Sequence, residues 1–145
     1  GIAARQCVSH AHYWQNVEEV AADYVAKDLY EKAGITPAEI QVASIYDCYS
    51  WVVLRQLEAY GLAPKGQIGE FVAAGNLKID GALPTNLAGG MLAEGYTHGM
   101  NNVLEIVRQV RGEYTGTNRQ AKNHDVGICT GWAGPDIAGA MILHN

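Results

Sequence analysis

Between residues 16 and 34 the apolar side chains recur with helical spacing. Val17, Val20, Ala21, Tyr24, Val25 and Leu29 fall on one face, with acidic and basic residues between them. Asn16 is placed to cap this helix, Glu18 and Glu19 to occupy its first turn, and Gly34 to end it. "TPAE" follows, with Thr36 three residues before Glu39 and Pro37 between them, the pattern of a capping box. "IQVASIY", residues 40–46, changes the period: it is short, apolar and β-branched, and predicts a buried strand. "SWVVLRQLEAYG" predicts a second helix ending at Gly61. Residues 61–89 are rich in Gly, Pro and Asn and predict a long loop with room for one strand. Over 99–111 a third helix is expected, with Val103, Leu104, Val107 and Val110 facing inward. "HDVGICT" and "AGAMILH" predict two late strands joined by "GWAGPDI". The start of the chain shows no clear first strand.

Strands and helices that alternate in this way predict a three-layer α/β domain with helices on both faces of the sheet. Reacting groups in such sheets gather in loops just past the strand ends. Three tips qualify: "YDCYS" at 46–50, "GYTHGM" at 95–100 and "CTGWAG" at 129–134.

Composition narrows the class. The chain has 145 residues, 48% of them hydrophobic, the size of one domain with a real core. No apolar run is long enough to span a bilayer, and Arg5, His10, His12 and Gln15 break any signal-peptide pattern at the start. A net charge of −5 with no basic block argues against a nucleic-acid partner. The three cysteines, Cys7, Cys48 and Cys129, are far apart and lack zinc spacing, so reduced thiols in the cytoplasm are the expectation and no metal site is expected. The chain opens on Gly1 rather than Met, which suggests a fragment or one chain of a larger assembly.

Each tip supports a structural and a chemical reading. In the first, Asp47 and Ser50 suit a helix cap, and Tyr46, Cys48 and Tyr49 suit packing; equally, a phenol and a thiol at a strand tip can move protons. In the second, Gly89, Gly90, Gly95 and Gly99 serve tight turns or allow close backbone approach to a ligand. Tyr96 and His98 stand just before a helix, where its positive end stabilises developing negative charge. In the third, Cys129 is a core residue or a thiol exposed by a glycine turn, and Trp132 flanks a ligand or covers the sheet edge. His10, His12, Tyr13 and Trp14 resemble a surface or interface patch. Arg108 and Arg111 are expected in solvent, and His124 and His144 are singletons.

Taken in order, "EKAGITPAEIQVASIYDCYS", "LPTNLAGGMLAEGYTHGMNN" and "GICTGWAGP" resemble the C-terminal half of the thiolase superfamily. The likeness is to the sterol-carrier type of thiolase and to thiolase-like lipid-transfer proteins, some of which are aldolases that split steroid side chains carried on coenzyme A. It implies a thiolase-like C-terminal domain over 1–145, a mixed sheet with helices on both faces, as half of a longer two-domain protein. Sterol-carrier thiolases carry His-Asp-Cys-Phe where this chain has Tyr46-Asp47-Cys48-Tyr49, and Gly-His-Pro-Leu-Gly where it has Gly95-Tyr96-Thr97-His98-Gly99. Both family histidines are therefore matched by tyrosines, and His98 lies two residues late. Cys129 with Gly131 matches the late Cys-x-Gly of many thiolases, and Cys48 the cysteine of the sterol-carrier tip. The acyl nucleophile belongs to the N-terminal half.

The resemblance implies an acyl-coenzyme A thioester as substrate and no covalently bound cofactor. A retro-aldol cleavage needs an acid and a base but no acyl-enzyme. Tyr46 and Tyr96 are the candidate pair, Asp47 and His98 their orienting groups, and Cys48 or Cys129 a residual proton carrier. Gly90, Gly95, Gly99 and Gly131 are the candidate positions of close backbone approach. A phenol with an ordinary pKa near 10 would need that value lowered to act as a base at neutral pH. Ordinary thiolase acyl transfer and a non-catalytic, acyl-binding subunit are the rivals. The implied partners are the missing N-terminal half, a second copy in a homodimer, and a small protein with zinc-ribbon and OB-fold modules.

Overall fold

A computed structural model describes residues 1–6, 19–134 and 136–145. Cys7, the aromatic and histidine patch at 10–14, and the expected cap and first-turn residues Asn16 and Glu18 lie outside the described residues. The elements run β1 (Ile2–Gln6), α1 (Ala21–Ala33), β2 (Val42–Ser44), α2 (Ser50–Ala59), α3 (Ile68–Ala73), α4 (Gly90–Glu94), α5 (Met100–Val110), β3 (Val126–Trp132) and β4 (Ile137–His144). A single 3₁₀ turn, Pro37–Glu39, sits between α1 and β2. Its Thr36 N–H donates to Glu39, as the capping-box pattern requires.

The sheet order is β1-β4-β3-β2. β1 and β3 both pair antiparallel with β4, and β3 pairs parallel with β2. The sheet is mixed, with helices on both faces, as expected. Alternation along β3 and β4 divides the core in two. Ile128, Trp132, Ala138, Ala140 and Ile142 pack with α1 and α2, whereas Cys129, Met141 and Leu143 face α5. In α1, Ala22, Val25, Ala26 and Leu29 are buried in the first of these layers. Each fully buried Val or Leu contributes about 1.5–3 kcal/mol relative to exposure.

Four expectations need correction. A first strand does exist: β1 is a short edge strand whose Ala-Ala-Arg-Gln composition hides it. Helix α1 begins at Ala21, so Glu19 lies outside its first turn; the Asp23 carboxylate accepts from the Val20 N–H and caps the start. The 61–89 segment contains α3, and its possible strand reduces to one parallel bridge between Ala43 and Thr85. In α5, Leu104 is 48% exposed, while Glu105, Ile106, Gln109 and Val110 are buried. The two helix ends placed at Gly34 and Gly61 stand. Both glycines are left-handed, and Ile35 and Leu62 close back onto Tyr30 and Leu57 across them.

Candidate active site

The site begins where β2 stops. Asn86 grips Ile45 on both sides, accepting from its N–H at 2.7 Å and donating to its C=O at 3.0 Å. The next residue, Tyr46, is held by its backbone as well. Its N–H donates to Thr130 Oγ1 at 3.0 Å and its C=O accepts from Gln56 Nε2 at 2.8 Å. Thr130 in turn donates to Gln56 Oε1 at 2.6 Å. All three residues are buried, so this triangle of hydrogen bonds fixes the phenol's base against α2 and β3.

The second tip comes to meet it. Gly99, at φ +87°, caps α5, and a Cβ there would stand 3.4 Å from the Tyr46 ring. Glycine therefore lets the helix start lie against that ring. Two residues before the helix, His98 takes a left-handed conformation at φ +50°, unusual for a side-chain-bearing residue. That turn aims Tyr96 back at β2. The Tyr46 and Tyr96 hydroxyls are in hydrogen-bond contact. Their rings stand edge to face with centroids 6.3 Å apart, and His98 stands edge to face on Tyr96 at 4.9 Å. Tyr46 is buried while Tyr96 is 53% exposed, so the pair joins the interior to solvent.

Electrostatics set the two apart. Burial, then its hydrogen bond with Tyr96, pushes the Tyr46 phenol well above its ordinary pKa. The downward shift that a basic phenol needs is not found at Tyr46, which keeps its proton at neutral pH. Cys48 is half-buried, and burial raises its thiol as well. Cys129 is buried and its thiol is pushed up to about 11, again chiefly by burial. Neither cysteine carries the depressed pKa of an activated thiol.

The other candidates fall around this pair. Asp47 directs its carboxylate at the Met91 N–H, 3.1 Å away, rather than at a phenol. Any side chain on Gly90, itself at φ +73°, would collide with that carboxylate, so Gly90 is glycine to admit Asp47. His98, Gly99, Cys129 and Gly131 share the wall of one open cleft of about 260 Å³ with Met100 and Met141. Gly95 is exposed at the hinge between α4 and the turn. Thus Tyr46, Tyr96, His98 and Gly99 meet directly, Asp47 and Gly90 shape the neighbouring helix start, and Cys129 and Gly131 border the adjoining cleft. Trp132 is buried and stands edge to face on Trp51, at 6.4 Å, which answers its open question in favour of packing.

Sequence reasoning missed Asn86, Gln56 and Thr130. Gln56 had a signal, a polar residue inside the apolar stripe of α2; the other two take their roles from partners 41 and 84 residues away. Among the described residues no cluster of His, Cys, Asp and Glu could hold a metal ion, and no helix is long and apolar enough to cross a membrane.

Strand order, glycine-lined helix starts and paired tips define a thiolase-type domain. The chain belongs to the thiolase C-terminal domain-like family, whose sequence profile matches residues 3–145. It is 47% identical over 88 residues to a steroid side-chain-cleaving aldolase of Thermomonospora curvata, covering 61% of this chain and 22% of that one. It is 44% identical over 88 residues to 17-hydroxy-3-oxo-4-pregnene-20-carboxyl-CoA lyase of Mycobacterium tuberculosis, covering 61% and 23%. Among solved structures it is similar to an Ltp2-ChsH2(DUF35) aldolase, with TM-score 0.83 and 32% identity over 98% of this chain and 38% of that one. The chain spans about a fifth of the length of these two curated relatives.

Proposed function

We propose that this chain is the C-terminal half of a lyase that splits a carbon–carbon bond in a lipid or steroid acyl-coenzyme A thioester by retro-aldol cleavage. The observation that carries the reading is the contact between the Tyr46 and Tyr96 hydroxyls, one buried and one open to solvent. Tyr46 keeps its proton and donates it toward Tyr96 Oη. Tyr96 is the phenol that exchanges protons with substrate. Acting as a base in the phenolate form, to which Tyr46 donates its hydrogen bond, Tyr96 Oη takes the proton of a β-hydroxyl; the bond between the α and β carbons breaks; the β carbon becomes a carbonyl. The electron pair stays on the thioester fragment as an enolate, which regains a proton at the α carbon from the phenol pair. That proton restores the starting state, so the cycle balances without an acyl-enzyme.

Names of similar proteins support the reading, since one is a steroid side-chain-cleaving aldolase and another a carboxyl-CoA lyase. Raised thiols at Cys48 and Cys129 speak against acyl transfer through these cysteines. Asp47 and His98 act on the loops, Asp47 by seating the start of α4 and His98 by flanking Tyr96. The N-terminal half, a second copy and a zinc-ribbon/OB-fold protein are the proposed partners; the name of the similar aldolase complex supports a partner subunit. A reducing cytoplasm suits the unpaired thiols of Cys48 and Cys129.

Tyr96→Phe and Tyr46→Phe in the full-length protein test the proposal. With a β-hydroxyacyl-coenzyme A substrate, each is expected to lose about 10²–10⁴-fold in cleavage rate. The unmodified protein should leave a β-ketoacyl thioester uncut. A folded Tyr96→Phe protein with full lyase activity ends the reading.

A further inference from the structure

Tyr96 sits in a turn that has little to hold it. Helix α4, which leads into the turn, is one turn long and starts from a left-handed Gly89 with no side-chain cap. Such a helix is not stable by itself. Gly95 follows at φ +77°, and a Cβ there would meet nothing within 4 Å. The far end of the turn is secured, because Thr97 Oγ1 accepts from the Asn101 N–H at 3.3 Å and donates to Asn101 Oδ1 at 3.1 Å. At the near end, Asp47 and the buried Met91 side chain hold the start of α4.

A guanidinium ties down the end of α4. Arg119 Nη2 lies 2.9 Å from Glu94 Oε1, on the last residue of α4, and 2.7 Å from Glu105 Oε2, on α5. The Glu105 carboxylate is almost wholly buried. It also accepts from Gln109 Nε2 at 3.0 Å and from the Tyr114 hydroxyl at 3.0 Å. Gln109 Nε2 donates as well to the Arg119 C=O at 2.8 Å, and the guanidinium lies 4.5 Å over the Tyr114 ring. A buried carboxylate needs its cation, so Arg119 is fixed by Glu105. Its remaining reach ties Glu94 to the same frame. The residue after Glu94 is Gly95, and the one after that is Tyr96.

We infer that Glu94 and Arg119 are positioning residues for Tyr96, locking the end of α4 to α5 so that the Gly95–Gly99 turn presents the phenol to Tyr46. This rests on the proposed role of the phenol pair. Neither residue touches the reacting atoms. Glu94 is the informative one to change, because its loss leaves the Arg119–Glu105 pair and the core intact.

The test is a double-mutant cycle in the full-length protein, with β-hydroxyacyl-coenzyme A cleavage as readout. Glu94→Ala is expected to lower kcat about 10-fold by misplacing the phenol, with KM and the melting temperature nearly unchanged. Arg119→Lys, which keeps the charge, should retain more activity than Arg119→Met. In a Tyr96→Phe background, adding Glu94→Ala should cost nothing further, since there is no hydroxyl left to position. A merely structural contact would lower activity by the same factor in both backgrounds. That result, or a Glu94→Ala protein with full kcat, overturns the inference while the phenol-pair reading stands. A fully active Tyr96→Phe protein instead removes the reading and the inference with it. Should Glu94→Ala prove unstable, Glu94→Gln takes its place in the same cycle, with the same non-additivity expected.

Discussion

Burial raises the phenols of several described tyrosines, Tyr114 among them, and that is measurable. Tyr30, Tyr46 and Tyr60 are all pushed above the ordinary phenol pKa, in each case chiefly by burial. Below pH ~10 both folded and unfolded chains keep these protons, so stability does not depend on them. Above that point the unfolded chain releases protons that the folded one retains, and stability falls as pH rises. Each phenol contributes at most about 1.4 kcal/mol per pH unit to that fall. Denaturant unfolding at stepped alkaline pH should show a plateau and then a decline, and Tyr60→Phe should make the decline shallower. Ultraviolet titration of the folded protein should show some of its eight tyrosines ionising only on unfolding. If all of them ionised together near pH 10, Tyr46 would not be the proton-holding partner. The same single-residue scale explains what the sequence could reveal of the site. Tyr46, Tyr96 and His98 were legible because they depart from a family motif at defined positions, and Gly99 because it keeps that motif's last glycine. The roles of Asn86 and Thr130 were not, because a hydrogen bond across 41 or 84 residues leaves no local pattern.

Among the elements, α5 shows where reading periodicity fails. Short apolar runs made β2, β3 and β4 visible, and helical spacing with glycine stops made α1 and α2 visible. Short α3 and α4 lie in a glycine-rich stretch and carry too few residues for a period. Helix α5 was found and Val110 faces inward as expected, but the pattern put Leu104 inside and left out the polar half of the buried face. Glu105 and Gln109 are buried there, and Leu104 faces out. The inversion becomes intelligible only once residues 113–121 wrap the helix and supply Tyr114, Arg119 and Gln120 as partners. Polarity alone would rank Leu104→Ala as the damaging change. The structure ranks it the other way. Glu105→Ala should destabilise the protein by about 1–3 kcal/mol, because Gln109 and Tyr114 lose a buried acceptor and Arg119 its inner carboxylate. Leu104→Ala should stay within about 0.5 kcal/mol if its surface is solvent-facing. Denaturant melts of the two variants decide between these rankings; equal losses would mean that the Glu105 network contributes little.

At the scale of the whole molecule, the two faces of the sheet are covered unequally. α1 packs over β1 and β4 on one face, and α2 meets β3 there through Gln56 and Thr130. On the other face, among the described residues, α5 covers β2 and β3 but leaves β4 and β1 beside an open, mainly apolar cleft. Ile2 at its rim is 64% exposed and Met100, at the start of α5, is 59% exposed. This is the same cleft that His98, Cys129 and Gly131 border, so whatever covers the face also closes the site. The proposed N-terminal half is the natural occupant, because this chain spans only about a fifth of its curated relatives. Two consequences separate that arrangement from a self-sufficient domain. Expressed alone, the chain should bind a hydrophobic dye and associate with itself or with the separately expressed N-terminal half, as light scattering and copurification would report. Met100→Lys places a charge on the open face while leaving the buried core untouched. It should reduce dye binding and self-association of the isolated chain, and abolish lyase activity when the two halves are recombined. A soluble monomer with lyase activity of its own would refute the two-half arrangement, because the site would then be complete without a cover over β1 and β4.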